Sequence, residues 1–266
     1  MKIKLIAEIG WNHMGDMALA KEMIASAVSS GADIVKFQTW SESDLGEGLW
    51  NDDGRREIYK QAELSENDHI DLKATCESFG VEFLTSIFNV KHLKFLESLE
   101  LQSIKIPSHE IYNLELITAV VTKFDKILLS AGACTFDEIN KSVLVIPLDQ
   151  LVLMHCVSSY PLDPENVNFP KFEKLKKLSN IMGYSGHLKG IEDAIVAICK
   201  GAIFVEKHFT VDQSLPGRDN ENAILPEDLK KLSDFRDIYE KMNIDKGLDV
   251  QDVELDIFNN YRGRWG

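Results

Sequence analysis

Two apolar runs in this chain each end on a histidine. Residues 180–186 lead into His187, and residues 202–207 lead into His208. One helical segment separates the runs, so they read as neighbouring parallel strands with both ends at one face. Imidazoles projecting from adjacent strand ends can share one divalent metal. The alternative is two hydrogen-bonded histidines at a strand rim. Other apolar runs also end on polar groups: Glu8, Lys36, Gln38, Ser86, Lys105, Ser108, Glu110, Ser130, Ser158 and Ser185. Lysines with hydroxyls suit a phosphate and a carboxylate on one small molecule. Two histidines with a carboxylate suit a metal that polarises a carbonyl. Any one of the serines can instead be a simple helix cap. Lys36 lies between Val35 and Phe37, and Lys105 between Ile104 and Ile106, so each points either into a barrel mouth or out among helices. An ammonium buried in either place needs an anionic partner. Glu206 and Lys207 are adjacent on a strand and face opposite ways, which makes one of them structural. His155 reads as a satisfied core histidine, and the cysteines as core residues.

The elements that must position these groups alternate regularly. Apolar strands are expected at 5–10, 33–38, 82–87, 103–106, 126–132 and 151–156, followed by the two histidine strands. Asp16, Asn89 and Asn113 are placed to cap helices, Ser65 with Asp68 and Thr135 with Glu138 form capping-box patterns, and Pro226 suits the first turn of a last helix. Residues 40–62 and 158–170 read as long polar loops. Eight strand–helix units predict a single-domain (β/α)8 TIM barrel of the α/β class over residues 1–243, with a C-terminal tail at 244–266. A doubly wound open sheet is the alternative, but the segment after the first strand lacks the G-x-G-x-x-G fingerprint.

Composition narrows the function. A net charge of −14 argues against a nucleic-acid or anionic-membrane partner, while leaving room for a small anion held by local lysines. Cys76, Cys134, Cys156 and Cys199 are scattered without a C-x-x-C pair, which fits reduced thiols in a cytoplasm. The first residues hold too short an apolar run for a signal peptide, and no run approaches a membrane span.

Several ordered motifs resemble the sialic acid (N-acetylneuraminate) synthase family, which includes legionaminate and pseudaminate synthases. They are Ala7-Glu8-Ile9-Gly10 with Asn12-His13 and Gly15, Val35-Lys36-Phe37-Gln38-Thr39, Lys105-Ile106 with Ser108 and Glu110, Gly183-Tyr184-Ser185 with His187, Glu206-Lys207-His208-Phe209-Thr210, and Leu215-Pro216-Gly217-Arg218-Asp219. The match runs in order over about residues 4–230. The resemblance implies condensation of phosphoenolpyruvate with an N-acyl amino sugar aldehyde to a nine-carbon 2-keto acid. It implies Mn²⁺ or Mg²⁺ on His187 and His208, and a phosphoenolpyruvate pocket of Lys36, Gln38, Ser86, Lys105, Ser108, Ser130, Ser158 and Ser185. Glu8 and Glu110 map onto its carboxylates at sugar and metal, with either as the base, and Asp219 onto the acid after the Pro-Gly turn. Three departures accompany it. Gly186 stands where the motif usually has Asp, and Val157-Ser158 where it has a polar residue and Asn. The family usually continues into a C-terminal antifreeze-like domain that covers the partner's site. A homodimer is therefore expected, with the cover coming from a separate lid protein or in part from Arg262 and Arg264, unless the acceptor differs. Two other functions stay open: a metal-free Schiff-base aldolase using Lys36 or Lys105, and a non-catalytic barrel remnant.

Overall fold

Alternation along the strands sorts this chain into an inside and an outside. The computed structural model describes residues 2–266, and eight parallel strands close into one barrel in chain order. They are β1 (Lys4–Glu8), β2 (Ile34–Thr39), β3 (Glu82–Ile87), β4 (Ser103–Ile106), β5 (Lys126–Ser130), β6 (Leu151–Cys156), β7 (Ile181–Gly186) and β8 (Phe204–His208). The expected (β/α)8 barrel is the observed fold, and the open sheet is excluded by pairing of β1 with β8. Inside the lower barrel Ile6, Ile34, Leu84, Leu128, Val152 and Phe204 form a buried apolar plug. A second, larger apolar shell, including Val35, Phe37 and Val205, fills the space between strands and helices. With a period of two, Lys36 and Gln38 share the inward face with Ile34, and Glu206 and His208 share it with Phe204. The polar groups therefore stack directly above the plug, at the C-terminal ends of the strands.

Local signals set the helix starts. The Asp16 carboxylate accepts from the Ala18 and Leu19 amides and opens the helix Met17–Ser29. Both capping boxes form, starting Glu66–Ser78 and Phe136–Val145, and Asn113 caps Leu114–Val121. Pro226 is the first residue of Pro226–Met242. The segment 40–62 departs from the expected irregular loop. It contains two 3-10 turns and the helix Arg55–Ala62. The Arg56 guanidinium explains the order: it donates to Asn51 Oδ1 (2.9 Å), to the Leu45 and Gly46 carbonyls (3.1 and 3.0 Å) and to the Glu42 carboxylate. Tyr59 then packs against Trp11 and Trp40, with ring centroids 5.0 and 5.5 Å away. Residues 244–266 include the helix Leu255–Asn260 and are exposed throughout. No helix among the described residues is long and apolar enough to cross a membrane.

His155 lies in the apolar shell, as its sequence context suggests. Its ring is buried among Phe169, Phe172 and Tyr184, and Nε2 donates to the Val167 carbonyl at 2.8 Å. Burial lowers its pKa from 6.5 to about 4. An unfolded chain takes up this proton at the ordinary value, so between those two pH values the unfolded state binds more protons. The resulting penalty is absent above the ordinary value, grows as pH falls and levels off near the folded value, with a slope of at most about 1.4 kcal/mol per pH unit. Urea unfolding of the parent and of His155→Gln at neutral and mildly acidic pH measures it. The variant is expected to lose less stability on acidification, and equal losses would refute the assignment.

Candidate active site

The strand ends surround an open cavity of about 730 Å³. Its floor is charged and almost sealed from solvent. Lys36 Nζ stands 2.9 Å from Glu8 Oε2, 3.4 Å from Glu206 Oε1 and 3.0 Å from Ser86 Oγ. Lys105 Nζ donates to Glu206 Oε2 at 2.7 Å. Gln38 donates to Glu8 Oε1 at 2.6 Å, and Ser185 to Glu206 Oε1 at 3.3 Å. Both lysines thus point into the barrel, and the anionic partner their burial requires is Glu206, shared between them.

These neighbours pull the four groups apart electrostatically. Burial opposes ionisation of Glu206, but the Lys105 and Lys36 ammonium groups outweigh it and hold its pKa down to about 2. Burial is the main influence on Glu8 and raises its pKa, with the Glu206 charge adding and Lys36 opposing. Burial alone would lower the pKa of Lys36, but Glu206 and Glu8 reverse the direction and raise it. At Lys105 burial prevails over Glu206, and the pKa falls. The floor therefore holds one firmly ionised carboxylate and a second that is closer to exchanging a proton, which is the character of a general base.

Beside this floor stand the two histidines, their ring centroids 5.7 Å apart. His187 Nδ1 is 2.7 Å from the Val157 carbonyl. A carbonyl only accepts, so Nδ1 carries the hydrogen and Nε2 keeps its lone pair. Burial, helped by His208, lowers the His187 pKa to about 3 and keeps the ring neutral. His208 Nδ1 is buried without a hydrogen-bond partner, 3.5 Å from Asp219 Oδ2. These three side chains, with Tyr160, Gly186 and Asn222, line a side cavity of about 10 Å³, room for one water or ion. The donor chemistry, two imidazoles and a carboxylate with one ring nitrogen unsatisfied, fits a divalent first-row ion. Among the described residues no three His, Cys, Asp or Glu side chains form a ready-made metal cluster.

Of the residues assigned from the sequence to substrate, metal or catalysis, the tail arginines Arg262 and Arg264 do not line the main cavity, and neither does Glu110. Its carboxylate accepts from Asn113 Nδ2 at 3.1 Å, beside the cap of the following helix. Ser108 and Ser158 share a hydrogen bond of 2.8 Å across the cavity wall, and Ser130 and Asp219 also face the opening. Glu206 is central; sequence alone does not separate it from Lys207, although its parity with His208 on β8 is the available signal. Trp11, Phe88 and Tyr160 from loops, with Tyr59 from the helix Arg55–Ala62, add an aromatic rim. No periodicity marks those loops.

The rim is closed by contacts between the loops after β1 and β8. Trp11 Nε1 donates to Asp219 Oδ2 at 2.6 Å, Asn12 Nδ2 to the Phe209 carbonyl at 2.9 Å, and Asn220 Nδ2 to the carbonyls of Asn12 (3.1 Å) and Pro216 (2.7 Å). Asn12 and Asn220 are buried, so this polar clasp replaces water with internal partners.

Comparison with known proteins gives a consistent picture. The NeuB family matches residues 23–246. The N,N'-diacetyllegionaminic acid synthase of Legionella pneumophila is 37% identical over 247 residues, covering 86% of this chain and 69% of that protein. The N-acetylneuraminate-9-phosphate synthase of Drosophila melanogaster is 32% identical over 246 residues, covering 87% of this chain and 66% of that one. Among solved structures, the N-acetylneuraminic acid (sialic acid) synthetase of Leptospira borgpetersenii serovar Hardjo-bovis, in complex with citrate, superposes with a TM-score of 0.90 at 31% identity. That match covers 100% of this chain and 94% of the other.

Proposed function

The chain belongs to the NeuB family, and from that premise we propose that it condenses phosphoenolpyruvate with an N-acyl amino sugar aldehyde to give a nonulosonate and phosphate. The observation that carries this reading is the floor of two buried lysines and several hydroxyls directly beside a two-histidine cavity. Lys36 and Lys105 grip the carboxylate and phosphate of phosphoenolpyruvate, and Ser86, Ser108, Ser130, Ser158 and Ser185 supply hydroxyl donors around them. Glu206 holds both ammonium groups in place before substrate arrives, so little reorganisation is needed on binding. Mn²⁺ or Mg²⁺, held by His187 and His208 with Asp219 alongside, would supply Lewis-acid polarisation of the sugar aldehyde. C3 of phosphoenolpyruvate forms the new bond to the aldehyde carbon. Water adds at C2 as Glu8 takes one of its protons, which balances the proton taken up by the aldehyde oxygen as it becomes a hydroxyl. Collapse of the C2 hydroxyl to the ketone breaks the C2–O bond and releases phosphate with the second proton. The aromatic rim gives the sugar an apolar wall.

The test is phosphate release from phosphoenolpyruvate with a panel of N-acyl hexosamines, with and without Mn²⁺. Metal-dependent release with at least one acceptor is expected. A second reading is favoured by the lowered pKa of Lys105, which suits an amine nucleophile. Borohydride with pyruvate would then label the protein covalently, and labelling without phosphate release would replace the first reading by the second.

Lys36→Met separates binding from chemistry. A charge-assisted contact is worth about 1.5–3 kcal/mol, so phosphoenolpyruvate affinity should fall by roughly 10- to 100-fold. Calorimetry should show sugar affinity nearly unchanged. Unaltered phosphoenolpyruvate affinity would remove Lys36 from the pocket.

A further inference from the structure

Outside the barrel wall, behind the two histidines, lies a buried ion pair that the reaction does not use. Lys207 Nζ is 3.1 Å from both carboxylate oxygens of Asp193, on the helix Glu192–Cys199. Their side chains are 3% and 0% exposed. Lys207 Nζ also donates to the Leu188 carbonyl at 2.6 Å. Asp193 Oδ2 accepts from Tyr184 Oη at 3.0 Å and from the Leu188 amide at 3.4 Å, and Oδ1 from the Ala194 amide at 2.8 Å. A Cβ added to Gly186 would come within 2.3 Å of Asp193 Oδ2 and 2.6 Å of Tyr184 Cε1. The carboxylate therefore fills the space that a side chain at 186 would need.

The sequence positions give this cluster its meaning. Gly186 and Leu188 flank His187, and Lys207 immediately precedes His208. One carboxylate–ammonium pair thus bonds the backbone on one side of one imidazole, occupies the side-chain space of the glycine on its other side, and includes the residue next to the other imidazole. We propose that Asp193 and Lys207 are positioning residues that set the separation and aim of His187 and His208. Gly186 is glycine so that the carboxylate can reach them from the helix. Buried ion pairs add little to stability compared with apolar replacements of similar size, so fixing a geometry is the more economical account of this one. The inference rests on the reading of the histidine pair as a metal site.

Asp193→Ala should weaken Mn²⁺ binding, read by electron paramagnetic resonance of free Mn²⁺, by about 10- to 100-fold, the usual cost of losing a partner behind the ligands. Phosphoenolpyruvate affinity should stay unchanged. Adding Gly186→Asp to Asp193→Ala returns a carboxylate to the same space from the strand side, and should restore much of the Mn²⁺ affinity. If Asp193→Ala does not fold, the apolar pair Asp193→Leu/Lys207→Met replaces it and should show the same weakening. Parental Mn²⁺ affinity in a folded Asp193→Ala or in the apolar pair would overturn the proposal. If the parent protein itself binds no Mn²⁺, the metal reading fails and the proposal is judged on the proton that His187 Nδ1 donates to Val157. Its NMR resonance should be lost in Asp193→Ala and return in the double variant. An unchanged resonance would overturn the proposal.

Discussion

Glu8→Gln is expected to reduce kcat by about 10²- to 10⁴-fold, the usual contribution of a positioned general base. The substitution keeps the shape of the side chain. It leaves an amide oxygen to accept from Gln38, and Lys36 keeps Glu206 as its counterion. What is lost is the one floor carboxylate whose pKa lies above its ordinary value. Removing a negative charge beside Lys36 should leave phosphoenolpyruvate binding equal or tighter, so the defect should fall on kcat and not on KM. Steady-state kinetics with saturating Mn²⁺ measure this directly. A kcat near the parental value would take Glu8 out of the chemistry and leave the base to be sought elsewhere on the rim.

His208→Ala should abolish Mn²⁺-dependent turnover, with a loss of metal affinity greater than the roughly 100-fold that removal of an outer partner costs. The ring stands at the end of β8 with part of its surface open, and its Nδ1 has no hydrogen-bond partner to forfeit. The fold should therefore survive, and circular dichroism with a thermal melt checks this. His187→Ala should behave alike, although it also gives up the bond to the Val157 carbonyl. Normal turnover in either variant after chelation and return of Mn²⁺ would sink the two-histidine site.

Much of the architecture is legible in the sequence because it depends on short-range rules. Asp16, Ser65–Asp68, Asn113 and Thr135–Glu138 each satisfy helix amides within a few residues, so spacing alone locates them. Strand parity likewise limits Lys36 and Lys105 to one side or the other of the wall. What sequence could not decide depends on distant partners. Parity says that Glu206 and Lys207 diverge, but which one faces inward is fixed by Lys36 and Lys105 on one side and Asp193 on the other. The helix Arg55–Ala62 is unmarked because Arg56 and Tyr59 hold it through groups elsewhere in the chain. Glu110 carries the right chemistry in a familiar motif, yet its carboxylate turns to Asn113 beside a helix start. Gly186 looks like a lost carboxylate until the oxygen of Asp193 is found in its place.

The clasp of Trp11, Asn12, Asp219 and Asn220 has a bearing on how the molecule assembles. It joins positions about two hundred residues apart, at the seam where the first strand meets the last. Contacts of such long sequence separation carry the largest loop-closure cost and reward the chain only after the intervening units are in place. His208 and Glu8 face each other across that same seam. A chain with the first seven units formed would hold Glu8 beside Lys36 and Gln38, but would lack His208 and the Glu206 carboxylate that both floor lysines share. The last strand to close therefore delivers one histidine of the pair and the counterion of the floor together, so on the proposed chemistry the site is completed in a single folding step.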